Sequence, residues 1–182
     1  LRINRDLGTT ILFSTHDMYQ GQRLAHRIGV LMDGRFAQVG TPREVFTVPA
    51  TRDVARFVGI ENIVDGIVVA GGNGTSAVEA GGVRVRTATP LSPGERVSLC
   101  IRSEDLRIAP ADGDGATPGG NALPGTVASV VPRGPFSRVT VDCGFPLSSV
   151  LSWKTLDNLG IQGGSPVVVS FAAESVHVVR ED

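Results

Sequence analysis

The sequence predicts a mostly β protein: a small closed barrel built from two related half-units, preceded by a shorter α/β segment. Three observations predict it. From Ile60 onward apolar and polar residues alternate, as in Val83-Arg84-Val85-Arg86 and Val97-Ser98-Leu99-Cys100-Ile101. That period of two marks strands with one face buried. The stretch also repeats itself. Glu61-Asn62-Ile63-Val64-Asp65-Gly66-Ile67-Val68 returns 59 positions later as Gly120-Asn121-Ala122-Leu123-Pro124-Gly125-Thr126-Val127, and residues 94–108 return 70 positions later as 164–178. Before Ile60, a short apolar run ends in a polar corner and gives way to helical spacing.

Taken in order, residues 1–8 read as the tail of a helix stopped by Gly8 at its C′ position. Ile11, Leu12 and Phe13 then form the continuous apolar run of a strand, 9–13, covered on both faces as in a parallel sheet. Ser14-Thr15-His16-Asp17 closes the strand. Asp17 N-caps a helix over 17–27, with Gln20 at capping-box spacing and Arg23, His26 and Arg27 favourably placed in its last turns. His16 therefore sits at the carboxyl end of a strand, where open α/β sheets present ligand-contacting side chains. His26 reads as a surface residue.

A hairpin follows, 28–32 and 35–39, around the Asp33-Gly34 turn. Thr41 as N-cap, Pro42 at N1 and Glu44 at N3 open a short helix that Pro49 ends. A second helix, 51–58, points Val54, Phe57 and Val58 inward and stops at Gly59. A strand buried on both faces cannot stand without neighbours, because its backbone groups stay unpaired. Residues 1–30 must therefore pair with a second copy, be partly disordered, or have lost their sheet partners, and self-association or disorder is expected there.

In the β part, Gly71-Gly72-Asn73-Gly74 and Gly81-Gly82 read as hairpin turns. Half-units 60–109 and 120–182 are joined by a Gly/Pro/Asp-rich linker, 110–119. Each half holds about five strands. Two halves closing on each other remove exposed sheet edges and give a barrel of the OB type.

Composition narrows the function. The 182 residues carry a net charge of −1, so no electrostatic footprint for nucleic acid appears. No apolar run approaches the roughly 20 residues that span a bilayer. The polar, basic amino end does not read as a signal peptide. Cys100 and Cys143 belong to no Cys-x-x-Cys pair and read as buried reduced thiols, so no metal site is expected. Ser148, Ser149 and Ser152 lack a nucleophile-elbow context. Among possible base-stacking groups, Phe136 reads as core, Arg133 and Arg138 as exposed, and His177 as an outward strand residue.

Ser14-Thr15-His16-Asp17 with Gln22-Arg23-Leu24-Ala25-His26-Arg27-Ile28 resembles the switch-histidine region of ABC transporter ATPases. Leu31-Met32-Asp33-Gly34-Arg35, Gln38-Val39-Gly40-Thr41-Pro42-Arg43-Glu44-Val45-Phe46 and Ala55-Arg56-Phe57-Val58-Gly59 continue the likeness to the end of a bacterial importer's nucleotide-binding domain. The resemblance implies that His16 contacts the γ-phosphate of ATP and helps position the attacking water. It also implies ATP and Mg as cofactors of the intact protein. The sequence has no Gly-x-x-x-x-Gly-Lys-Ser/Thr loop. The 182 residues thus read as the C-terminal part of a longer protein and are expected to be inactive alone.

Ile101-Arg102-Ser103-Glu104-Asp105-Leu106 resembles the Ile-Arg-Pro-Glu-Asp signature of the TOBE domain, with Ser103 in place of proline. Residues 156–178 resemble the molybdate/tungstate-binding kind of that domain. Such modules carry Ser-Ala-Arg-Asn at the start of the unit and Lys-Ala near its end. Here Pro118-Gly119-Gly120-Asn121 and Ala172-Ala173 stand there, without the serine, arginine and lysine that would hold a dianion. Gly71 to Gly74 and Gly119 to Asn121 read as plain turns, with an anion nest of their backbone amides as the alternative.

The resulting expectation is a nucleotide-binding domain end at 1–59 and a regulatory, dimerising barrel at 60–182. Together they form part of the ATP-binding subunit of an importer for tungstate, molybdate or another small anion. Implied partners are a second copy of the subunit, a transmembrane permease subunit and a small oxyanion, but no nucleic acid. The implied location is cytoplasmic, peripheral on the inner face of the membrane. The alternative is a non-enzymatic oxyanion- or protein-binding barrel.

Overall fold

The computed structural model describes residues 6–72, 74–111 and 120–180. Most of the expected linker, 112–119, lies outside the described residues. The chain packs as two compact units, residues 1–58 and 59–182.

The first unit contains α1 (Met18–Leu24), β1 (Ile28–Met32), β2 (Arg35–Gly40), α2 (Pro42–Thr47) and α3 (Arg52–Phe57). Asp33 and Gly34 turn the β1–β2 hairpin with φ of 48° and 74°, the left-handed pair of a type I′ turn. The capping box forms as the spacing predicts. Thr41 Oγ1 accepts from the Glu44 N–H at 3.2 Å, and Glu44 Oε2 accepts from the Thr41 N–H at 2.8 Å. That backbone bond, with the Thr41 hydroxyl, holds the Glu44 carboxyl below its ordinary range. Gln38 adds a brace that sequence alone did not disclose. Its amide donates to Val48 O at 2.9 Å and accepts from the Ala50 N–H at 2.8 Å, fixing the chain around Pro49. Val30, Val45 and Val54 form the small core.

The strand expected at 9–13 is absent. Residues 8–15 have no regular structure, and Ile11, Leu12 and Phe13 are exposed, Leu12 by 97%. A parallel strand takes all its ladder bonds from neighbours, and the unit's sheet among the described residues is the β1–β2 hairpin. The helix expected over 17–27 ends at Leu24 and buries no residue, so no packing offsets the cost of Gly21 within it. Phe57, expected inward, is exposed; Val54 and Ala55 are buried. Gly8 does follow a helical Asp6-Leu7 with φ of 62°.

The second unit is the expected two-half barrel. The first half supplies β3 (Asn62–Gly72), β4 (Thr75–Ala80), β5 (Val83–Thr87), β6 (Arg96–Ile101) and β7 (Arg107–Pro110). The second supplies β8 (Asn121–Arg133), β9 (Phe136–Asp142), β10 (Pro146–Ser152), α4 (Trp153–Leu159), β11 (Pro166–Phe171) and β12 (His177–Arg180). A 3₁₀ turn, Ser103–Asp105 or Ala173–Ser175, precedes the last strand of each half. The sheets run β12-β6-β3-β4-β5 and β10-β9-β8-β11-β7. Each sheet therefore takes four strands from one half and the last strand from the other.

The halves match in detail. Leu99 pairs with Val178 where Val169 pairs with Ile108. Bulges fall at Val68/Ala70 and at Val127/Ser129. Gly94 donates to Val68 O and Gly164 to Val127 O, each at 2.8 Å. Leu91, Val97, Leu99, Ile101 and Leu106 are matched in the one continuous core by Ile161, Val167, Val169, Phe171 and Val176. Gly81 and Gly144, both at positive φ, abut so closely that a Cβ on either would strike the other's carbonyl.

The halves are locked by two buried asparagines. Asn62, at the start of β3, accepts from the Ser148 N–H at 2.6 Å and donates to Ser148 O at 3.0 Å on β10. Asn121, at the start of β8, accepts from the Arg86 N–H at 2.7 Å and donates to Arg86 O at 3.0 Å on β5. Hydroxyls reinforce both contacts, from Thr87 to Val176 O at 3.2 Å and from Ser149 to Ser103 O at 2.9 Å.

Three expectations need correction here. β6 is buried on both faces, Ser98 and Cys100 included, rather than half-buried; a central strand flanked by β3 and β12 is covered more fully than its polarity suggests. Phe136 is exposed, because it lies beside the β8–β9 turn, beyond the core layer. Arg138 is half-buried and ion-paired with Glu61 rather than exposed. Both cysteines are free and buried, and burial pushes the Cys143 thiol up to about 11.

Two outcomes follow from these contacts. Asn121→Ala strands the Arg86 N–H and C=O and should cost about 2–4 kcal/mol in urea unfolding, with Asn62→Ala costing a similar amount. At pH 8 neither thiol of the native protein should react with a disulfide reagent, whereas both should react in denaturant.

Candidate functional site

His16 stands at the corner between the irregular segment 8–15 and α1, exposed to solvent. The corner is organised by its neighbours. The Asp17 N–H donates to Thr15 Oγ1 at 3.0 Å, while Asp17 Oδ1 accepts from the Tyr19 and Gln20 N–H groups at 3.0 and 3.1 Å. Asp17 is therefore engaged as the helix cap, the role its position predicts. The side chains at this corner can present an imidazole to a ligand. Among the described residues no group of three or more His, Cys, Asp or Glu side chains gathers to hold a metal ion. The one histidine and the absent phosphate loop do not fit ATP by themselves.

The barrel has two positions where an anion site was sought. At the start of the second half, Pro118 and Gly119 lie outside the described residues, and the Asn121 amide is taken up by Arg86. Near the end of that half, Ala172 offers no polar side chain, and the carbonyl of buried Ala173 accepts from the Ala88 N–H at 3.1 Å. Arg102 holds the first-half position that Ala172 holds in the second, 70 residues away. Of the Gly-rich turn at 71–74, Asn73 lies outside the described residues, and Gly72 and Gly74 serve the β3–β4 turn with positive φ. His26 is exposed and His177 is half-buried on β12. The candidate residues are thus dispersed, and the asparagine with the best donor and acceptor pair is a structural latch.

The TOBE domain family matches residues 99–179. The chain is similar to the molybdate/tungstate import ATP-binding protein WtpC of Pyrococcus abyssi, at 35% identity over 175 residues, covering 96% of this chain and 48% of that protein. It is similar also to the spermidine/putrescine import ATP-binding protein PotA of Marinobacter nauticus, at 42% identity over 120 residues, 63% of this chain and 32% of that protein. The chain spans about half the length of the first of these relatives, and less of the second. Among solved structures it resembles the cytoplasmic molybdate-binding protein ModG, determined with molybdate bound. The TM-score is 0.57 at 18% identity, over 66% of this chain and 96% of that one. At that identity the likeness speaks for the fold alone.

Proposed function

We propose that the chain is the C-terminal ABC ATPase/TOBE part of an importer ATP-binding subunit, and that it serves an importer of tungstate, molybdate or another small anion. The observation that carries this reading is the identity sustained along the chain, 35% over 96% of it for a molybdate/tungstate import protein against 30% over 98% for a spermidine/putrescine import protein. In this reading ATP and Mg are held by parts of a complete subunit beyond these residues, and His16 is exposed where it can meet a bound nucleotide. A second copy and a permease subunit are the partners, and the permease brings the protein to the inner membrane face. No helix among the described residues is long and apolar enough to cross a membrane.

The barrel acts here as a regulatory and dimerising domain rather than as an oxyanion receptor. Holding a dianion out of water requires cationic or multiple donor groups. In the second half the asparagine amide is engaged and Ala172 replaces the expected cation. The alternative reading is a non-enzymatic oxyanion- or protein-binding barrel.

The test uses a complete subunit reconstituted with its permease. Tungstate or molybdate should stimulate ATP turnover and spermidine should not, and His16→Ala should lower turnover about 10²-fold with nucleotide binding retained. Stimulation by spermidine alone would move the protein to the polyamine class. For the present chain, tungstate should leave thermal stability unchanged. A selective gain, about 2.7 kcal/mol at a hundredfold excess over Kd, would support the binding module instead.

A further inference from the structure

The duplicated barrel supplies its own control for which surface residues the fold requires. On the outer face of the second sheet, Val131, Arg138 and Val150 lie side by side on β8, β9 and β10, and Arg133, Phe136 and Ser152 form the next row. Cross-strand neighbours of this kind are about 5 Å apart. Trp153 follows directly at the start of α4. Val131, Phe136, Val150 and Trp153 are exposed by 48%, 48%, 47% and 54%. In the first half Gly72 and Thr75 pair where Val131 and Arg138 stand, and Ala88, one residue past the end of β5, takes the place in sequence that Val150 has. The β3–β4 hairpin is shorter, so Arg133 and Phe136 have no counterpart strand pair. The first half folds into the same sheet without any of these bulky groups.

The patch also has a sign. Arg133 and Lys154 are exposed and have no acidic partner among the described residues, while Arg138 is neutralised by Glu61. Two unpaired cations flank an apolar surface on a chain whose net charge is −1. We propose that this face of β8, β9 and β10 docks a segment of a protein partner that carries both acidic and apolar side chains. It deepens the regulatory reading of the barrel given above and rests on that reading only for its consequence. A second copy meeting the patch about a two-fold axis would set Arg133 and Lys154 against the same cations. An anionic lipid surface is held by clusters of about four to eight cations, more than the patch offers. An acidic, apolar segment matches both its charge and its area.

Trp153 is the only tryptophan in the sequence, so its emission reports on the patch. The experiment titrates the present chain with a short synthetic peptide alternating Glu and Leu, following Trp153 emission and amide NMR shifts. Saturable shifts should centre on Val131, Arg133, Phe136, Val150 and Trp153 and spare Gly72, Thr75 and Ala88. Arg133→Glu and Phe136→Ser should each weaken binding about tenfold, with thermal midpoints unchanged, and affinity should fall as salt rises. The proposal is overturned by an absence of saturable shifts, by equal binding of a peptide with Lys in place of Glu, or by shifts spread over both halves. Concentration-dependent dimers relieved by Phe136→Ser, or sedimentation with phosphatidylglycerol vesicles relieved by Arg133→Glu, overturn it as well. None of these readouts involves ATP turnover or transport, so its failure is distinct from failure of the importer reading.

Discussion

Every open sheet exposes a row of N–H and C=O groups along its outer strands, and burying such an edge requires that each group find a partner. In this barrel, edge strands β5 and β10 each meet an asparagine of the opposite sheet. There a side-chain amide takes the place of a neighbouring strand. Asn121 satisfies both backbone groups of Arg86, and Asn62 satisfies both of Ser148. An amide is the one common side chain that offers a donor and an acceptor with the spacing of a peptide group. The exchange of β7 and β12 adds a second interlock, since neither five-stranded sheet is complete without the other half. The continuous core could then form only with both halves in place.

This interlock explains why the residues that looked most available for a ligand are not. Asn121 lies in the stretch where oxyanion-binding modules of this type carry their recognition residues, yet here its amide is used within the fold. The fold is shared with a molybdate-binding protein, and a shared fold does not by itself carry a binding site with it. The duplication has a further consequence. Positions that repeat between halves, such as Gly66 and Gly125 or Leu91 and Ile161, answer to packing. Positions that differ, such as Gly72 and Val131, are free of that demand and can serve a partner.

Much of the fold was legible in the sequence, because its signals are local. Asp33-Gly34 turned as its conformational preference dictates, the Thr41–Glu44 box closed, and the recurrence of Asn62 at Asn121 announced two halves. The exchange of the last strands was not legible, since alternation sets which face is buried and not which neighbour is paired. The run Ile11-Leu12-Phe13 has the composition of a buried strand but no strand partner among the described residues of the unit, so tertiary context overrode propensity. Of the candidate site, the corner around His16 could be read from Asp17 as a cap. The engagement of Asn121 could not, because its partner lies 35 residues away in sequence.

Reciprocal amide latches close the two halves into one cooperative unit. Native-state hydrogen exchange at the Arg86 and Ser148 amides tests it most directly, because each of these N–H groups donates to a latch in the other half. Both should exchange only through global unfolding, with the same opening free energy. Asn121→Ala should lower protection at Ser148 as well as at Arg86. Protection at Ser148 that survives loss of the Asn121 latch, or opening of either amide well below the global free energy, would contradict a single interlocked barrel.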